Sequence, residues 1–452
     1  MTQDTNGEQQ DGQTRRDVLK QVGAVGTAVA SSGCIGLGIL GRSRTQLPTQ
    51  SVNGTGKGVN FSAALNPKRY AKAFDRVVNI VEAGADPTGK QDVAPVIDRE
   101  LKDNTLLVFP KGRYKLNSQI ARRGNKNMGL IGQNAVLTHG TVEAIDGFDV
   151  TAGEYSGKAQ HFKIGTPERP HQGKFVFGGF TADWRGKNTG MQIVQVNTAG
   201  VAEVSNVRQV GVHDLGCQGP FRLNPTTKDA RVLARNIDIR AGGLTYQKTI
   251  NTRNERSGGG EFGRSWSTTG VAGHPEQAGY IRIQNVHCGG WPDNGIYQIG
   301  GKPNEDPATV EVVGCVAANS HPSNIRIGGK NSKVINCTVV TDEVFDEDFY
   351  FNQRPIRLDH GSCTVKNSQI IQRKPTGWSL SVLHQVNQAT IKNVSVTIYN
   401  KPQTALVIDE AVPNVTVNGL NIKTVGWNGS RPMLIRGDAD VMKNVSISSQ
   451  TG

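Results

Sequence analysis

From Gly179 to the C-terminal end one pattern of apolar and polar positions recurs: two alternating apolar residues, a spacer, an Asn or Gly, then another apolar residue. It stands in VFGGFTA at Gly179, VSNVRQV at Asn206, LARNIDI at Asn236, RIQNVHC at Asn285, VVGCVAA at Gly314, VINCTVV at Asn336, VKNSQII at Asn367, IKNVSVT at Asn393, VNGLNIK at Gly419 and MKNVSIS at Asn444. Successive marks lie 27, 30, 49, 29, 22, 31, 26, 26 and 25 residues apart. Apart from the 49, these are lengths of one solenoid coil, so the chain is read as stacked coils rather than separate domains. Period-2 alternation on both sides of each mark predicts strands.

The marked position joins two strands by a sharp bend and needs left-handed backbone angles, which Asn and Gly adopt cheaply. Stacked Asn side chains are expected to hydrogen-bond from coil to coil. The following residue (Phe180, Val207, Ile237, Val286, Cys315, Cys337, Ser368, Val394, Leu420, Val445) should point inward. A second strand precedes each mark in most coils, with its middle residue outward. That outward column is read as Gln192, Arg222, Thr245, Tyr297, Arg326, Arg357, Ser381, Val407 and Leu434. The 49-residue interval holds a Gly-rich excursion between Asn251 and Gly279, read as a long loop on an otherwise regular coil.

Upstream, Val77–Ile80, the acidic turn Glu82–Gly89, an amphipathic stretch from Asp92 to Leu101, and Leu106–Tyr114 with its F-P-x-G-x-Y run form one strand–turn–helix–strand unit. This unit resembles the N-terminal cap of the pectate-lyase-like β-helix superfamily, in which a helix plugs the open end of the solenoid. A stack of parallel strands has an exposed terminal edge, so a capping helix has a physical role there. GGWPDNGIYQIG and HPSNIRIGG are similar to segments of β-helix proteins that haloarchaea export by the twin-arginine route. The expected fold is all-β: a right-handed parallel β-helix over residues 73–452 with an N-terminal capping helix.

Residues 1–41 carry the pair Arg15 and Arg16 ahead of an uncharged stretch from Gln21 to Gly41, and resemble a twin-arginine export signal. Ser31-Ser32-Gly33-Cys34 resembles a lipobox, in which Cys34 would carry the lipid anchor; a cleaved signal and an uncleaved anchor are the alternatives. Residues 42–72 read as a flexible tether.

The formal net charge is +13. A surplus of that sign favours polyanionic partners. Nucleic acid is set aside, because the basic residues are scattered along the chain and the export signal places it outside the cell. An acidic polysaccharide or other anionic glycan remains, met by a monomer or trimer that is secreted or attached to the cell surface.

In enzymes of the fold that the resemblance implies, substrate lies across the outward side of one parallel sheet. Tyr297, Arg326 and Arg357 are expected there on three successive coils, with Arg222 further up the column. Around them stand Trp291, Asp293 and Asn294 on one coil, His321 and Asn324 on the next, and Asn352, Arg354, Asp359 and His360 on the third. Two neighbouring guanidiniums repel unless an anion lies between them, and a uronate carboxylate suits the place by bidentate pairing.

In β-elimination, Arg326 or Arg357 would neutralise the sugar carboxylate, or a calcium ion would, while His321 or Tyr297 serves as base or acid. The bland alternative pairs Arg357 with Asp359 and leaves Arg326 covering the sheet. Hydrolysis by Asp293 and Asp359 is the weaker chemistry, since they lie two coils apart. The acidic run Thr341–Asp348 reads as a solvated loop rather than a calcium site, and the cysteines as core thiols. Two functions remain open: a polysaccharide lyase, or a non-catalytic envelope or adhesion protein.

Overall fold

The computed structural model describes residues 64–252, 268–273, 276–301, 307–344, 352–427, 432–436 and 441–450. The export signal with Arg15, Arg16 and Cys34, most of the tether, the middle of the Gly-rich excursion and Phe345–Asp348 lie outside the described residues.

The described chain winds as an all-β parallel β-helix, with 26 strands in one continuously hydrogen-bonded sheet system. All ten marked residues have positive φ, from 50° at Asn367 to 80° at Gly179, and Asn134 at 60° adds the bend upstream. A left-handed residue turns the strand within one position, which lets an inward apolar residue follow an inward apolar residue on the next wall. Phe180, Val207, Ile237 and Val286 accordingly pair in register from coil to coil and are buried. The Asn ladder is present: Asn236 donates to Asn206 Oδ1 at 3.2 Å, Asn285 to Asn236 at 3.4 Å, and Asn393 to Asn367 at 3.2 Å.

Each coil contributes a strand to three walls. The first contains Ile296–Gln298, Ser323–Ile327 and Arg354–Leu358; the second lies just before the bend and the third just after it. The shared interior is apolar, and begins with an aromatic stack in which Phe109 meets Phe180 edge-on at 5.3 Å and Phe177 lies 5.0 Å from Phe180. Helix Ala94–Glu100, started by Pro95, sends Ala94 and Ile97 into this core beside Ile80, Leu107 and Phe109.

Three features differ from the expectations. The packed chain starts before residue 73: Ala64 bridges to Gln133, and Leu65, Tyr70 and Phe74 pack on Leu106, Val108, Ile131 and Val176. A small antiparallel flap, Val142–Asp146, Asp149–Gly153 and Gly157–Lys158, leaves the coils and packs through Val142, Ile145 and Tyr155 on Met191, Leu215 and Cys217. Leu244-Thr245-Tyr246 supplies no strand to the first wall; that rung is Val271–Ala272, inside the Asn251–Gly279 segment expected to be a loop.

The bends give a direct test. Asn236→Ala should lower stability by about 2–3 kcal/mol, from left-handed strain plus the ladder bonds, whereas Asn236→Gly relieves the strain and should lose about 1 kcal/mol. Urea denaturation midpoints check the order; equal losses would show that the backbone angle is not the controlling factor.

Candidate functional site

Along the first wall the outward column is fixed by pairing: Lys163 with Gln195, Gln195 with Arg222, Arg222 with Ala272, Ala272 with Tyr297, Tyr297 with Arg326, Arg326 with Arg357, and Arg357 with Ser381. At strand spacing, Lys163 to Arg357 spans about 29 Å. Gln195 therefore stands where Gln192 was expected, and Ala272 where Thr245 was. Phe162-Lys163-Ile164 and Val194-Gln195-Val196 carry the same apolar–polar–apolar signature as Phe221-Arg222-Leu223, a signal that alternation alone offered.

Tyr297, Arg326 and Arg357 are neighbours as expected, and the anion between the guanidiniums is the chain's own Asp359. Arg326 donates to Asp359 Oδ2 from Nε at 2.7 Å and pairs with it through Nη2 at 2.6 Å; Arg357 Nε reaches Oδ1 at 2.5 Å. Asp359 thus leaves no place for a sugar carboxylate between the two, and is not itself a substrate-facing group. The Arg326 guanidinium lies over the Tyr297 ring at 4.5 Å. Burial alone would raise the Asp359 carboxyl, but the two guanidiniums bring it down to about 2. Burial lowers Arg357, with Arg326 adding to the effect.

Asp293 is buried beside this cluster. Thr269 Oγ1 donates to its Oδ2 at 2.5 Å and Asn294 Nδ2 to its Oδ1 at 2.8 Å. Desolvation lifts its carboxyl to about 6, against those bonds and the pull of Arg326 and Arg357.

The remaining expected contacts divide. Trp291 is in the interior, its indole N–H donating to Ile239 O at 3.2 Å and its ring edge-on to His213, so it is no sugar platform. Asn294 and Asn324 are fully buried, Asn324 accepting from Ser320 N at 2.8 Å. These side chains hold the corner between walls instead of facing solvent. His360 is buried and lowered by desolvation, its ring filling the space a side chain at Gly328 would need. His321 is half-buried, with its backbone N–H on Trp291 O. Asn352 and Arg354 are half-buried, Arg354 stacking over Trp378 at 4.9 Å.

Arg222 lies elsewhere on the wall, in a cleft of about 380 Å³ under the flap that is also lined by Lys163, Gln160, Gln192, Gln195 and Phe148. Among the described residues no three His, Cys, Asp or Glu side chains converge as a metal site would need. Of the acidic run, Asp342 accepts from Asn319 Nδ2 at 2.6 Å. Cys217, Cys288, Cys315, Cys337 and Cys363 are buried free thiols; burial pushes Cys217 up to about 12.

A chain of this pairing pattern and wall is a parallel β-helix protein. No protein-family model matches it, and no curated protein matches it in sequence. Among solved structures it is similar to PfbA, a surface adhesin of Streptococcus pneumoniae, at 11% identity and TM-score 0.50, over 83% of this chain and 92% of that one. It is also similar to ORF18 of Geobacillus virus E2 (11%, TM-score 0.42, 82% of this chain but 61% of that one). A third is the endo-xylogalacturonan hydrolase of Aspergillus tubingensis (13%, TM-score 0.38, 81% and 91%). At these identities the likeness concerns the fold.

The two carboxyls predict opposite limbs of stability against pH. Asp359, with a folded value of about 2, contributes stability that is present above about pH 4 and lost as pH falls towards 2. Asp293, at about 6, holds a proton that the unfolded chain has released, so stability falls as pH rises from about 4 through 6. Asp293→Asn should abolish the second limb and keep the first in urea midpoints taken from pH 2 to 8. Asp359→Asn should cost about 3–5 kcal/mol at pH 7, because it leaves two largely buried guanidiniums without their anion.

Proposed function

We propose that the protein is exported and that its first wall binds an acidic glycan laid along the solenoid axis, without cleaving it. The observation that carries this reading is the column itself: Lys163, Gln195, Arg222, Tyr297 and Arg326 succeed one another on one outward face, with only Ala272 intervening. Cationic and amide groups repeated at strand spacing suit a repeating anionic polymer. The net charge of +13 has the sign that such a partner requires. In this reading Arg15 and Arg16 direct twin-arginine export and Cys34 provides the attachment to the envelope.

Lysis at Arg326 or Arg357 would require a guanidinium turned to the sugar carboxylate, and both are committed to Asp359. Binding makes no such demand. Tyr297, whose hydroxyl is raised by burial, is a poor base as it stands.

Immobilised full-length protein should retain polyuronate and sulfated glycans and release them as sodium chloride rises, while neutral glucans pass through. No ultraviolet absorbance of unsaturated sugar and no new reducing ends should form. Equal retention of neutral polymers would overturn the glycan-charge reading, and accumulation of unsaturated product would establish a lyase in its place.

A further inference from the structure

On the walls of this solenoid, cations recur in pairs that share one carboxylate. Asp183 holds Arg113 and Arg185, Asp238 holds Arg240 with Arg208 3.9 Å away, Glu311 holds Arg282 and Lys333, and Asp359 holds Arg326 and Arg357. Lys163 and Arg222 break the pattern. They face the same cleft two rungs apart, about 10 Å at strand spacing. Among the described residues neither forms an ion pair; Glu168 and Glu276, also on the cleft, act on them only at longer range.

Both cations carry the mark of an uncompensated charge. Desolvation lowers Lys163, and Arg123, Lys158 and Arg222 lower it further; desolvation lowers Arg222. The Arg222 Nε is out of reach of water and has no acceptor. Two desolvated cations whose carboxylates, Glu168 and Glu276, stand beyond ion-pair distance weigh against the fold unless a closer anion reaches them.

Beside Lys158, Glu168 and Glu276, the cleft is lined by amides held in place by one another. Gln119 Nε2 donates to Gln160 Oε1 at 2.6 Å, Gln160 is bonded in turn to Gln192 and to Gln195 at 3.3 Å, and Gln192 Nε2 donates to Gly219 O at 3.1 Å. Phe148 from the flap stands on the rim, 37% exposed. Oriented amides beside an apolar ring and two cations offer partners for hydroxyls, for the apolar face of a sugar ring and for its acidic group.

We propose that the Lys163–Arg222 cleft is the anion-binding subsite of the wall, taking one carboxylate or sulfate group of a glycan between the ammonium and the guanidinium. This rests on the glycan-binding reading for the source of the anion, and moves its charge recognition away from Arg326 and Arg357. The occupant is an oxyanion, because a forked guanidinium with a nearby ammonium matches two or three acceptor oxygens.

The test uses full-length protein at low ionic strength, titrated by calorimetry with a galacturonate oligomer, and in parallel heated with sodium sulfate or with sodium chloride of equal ionic strength. The variants are Lys163→Gln with Arg222→Gln, and Lys366→Gln with Lys392→Gln, which removes the same charge from the second wall. The cleft variant should melt no lower than wild type in salt-free buffer, yet bind the oligomer at least tenfold more weakly and lose the extra Tm gain that sulfate gives over chloride. The second-wall variant should bind within twofold of wild type.

If the two double variants bind the oligomer equally, the inference is overturned while glycan binding stands. If wild type binds no acidic oligomer, the glycan reading falls and the sulfate arm decides. A sulfate-specific Tm gain confined to proteins with Lys163 and Arg222 supports an anion site for a free ion; its absence overturns the site.

Discussion

The structure depends on one backbone constraint: a left-handed residue at the same place in every coil. Parallel strands tolerate slippage poorly, because a shift of one residue exchanges the inward and outward sets. The bends prevent it. A Cβ added at Gly179 would lie 1.9 Å from the Gly132 carbonyl oxygen, so that bend fits closely on the backbone of the coil beneath. At Asn236, Asn285 and Asn393 the side-chain amide bonds to the neighbouring bend. The coil with the 49-residue interval shows how strong the constraint is. Asn285 still reaches Asn236 at 3.4 Å, and Val286 still pairs with Ile237. The extra chain is accommodated outside the ladder.

The same register stacks outward groups as strictly as inward ones, so like charges come to lie one strand apart. Arg326 on Arg357 is the sharpest case, and Asp359, two residues along the same strand, resolves it from within the chain. The four carboxylate-bridged pairs show this to be the general solution here. At Lys163 and Arg222 no carboxylate comes within ion-pair distance; Glu168 and Glu276 stand on the same cleft and act only from further off. The wall thus has a neutralised part and an unneutralised part, and only the second has an electrostatic demand that a ligand can meet.

The bends and inward positions were legible because they rest on properties of single residue types: left-handed angles in Asn and Gly, and period-2 burial. Arg326 and Arg357 were legible too, each flanked by apolar residues that leave one register, and Tyr297 followed from Ile296 before it. Met191 to Val196 was not, since Met-Gln-Ile and Val-Gln-Val both alternate correctly, and only pairing of Val194 with Phe221 chooses between them. Leu244-Thr245-Tyr246 imitates a wall strand, whereas the strand the wall uses, Val271–Ala272, is two residues long and lies within the Gly-rich segment. Trp291, Asn294 and Asn324 look like surface groups in sequence, yet the corner between walls folds inward, where backbone groups bond to Trp291 and Asn324 and the Asp293 carboxylate accepts from Asn294. The pairing of Arg357 with Asp359 is local and could be read from the strand; the arrival of Arg326 needed the coil above.

Among the described residues of the cluster around Tyr297, most titratable groups are turned to one another. Asp359 is clamped on both oxygens and stays ionised far below neutrality, the Tyr297 hydroxyl is raised, and His360 is buried and lowered. Asp293 is the member of the cluster that titrates near neutrality, and hydrogen bonds from Thr269 and Asn294 occupy both its oxygens. A general acid or base has to present a proton or a lone pair to the substrate, and these groups present theirs to one another. Fixed charges, tied amides and a ring at the rim are the equipment of recognition. In the proposed reading the wall acts through where its charges are held.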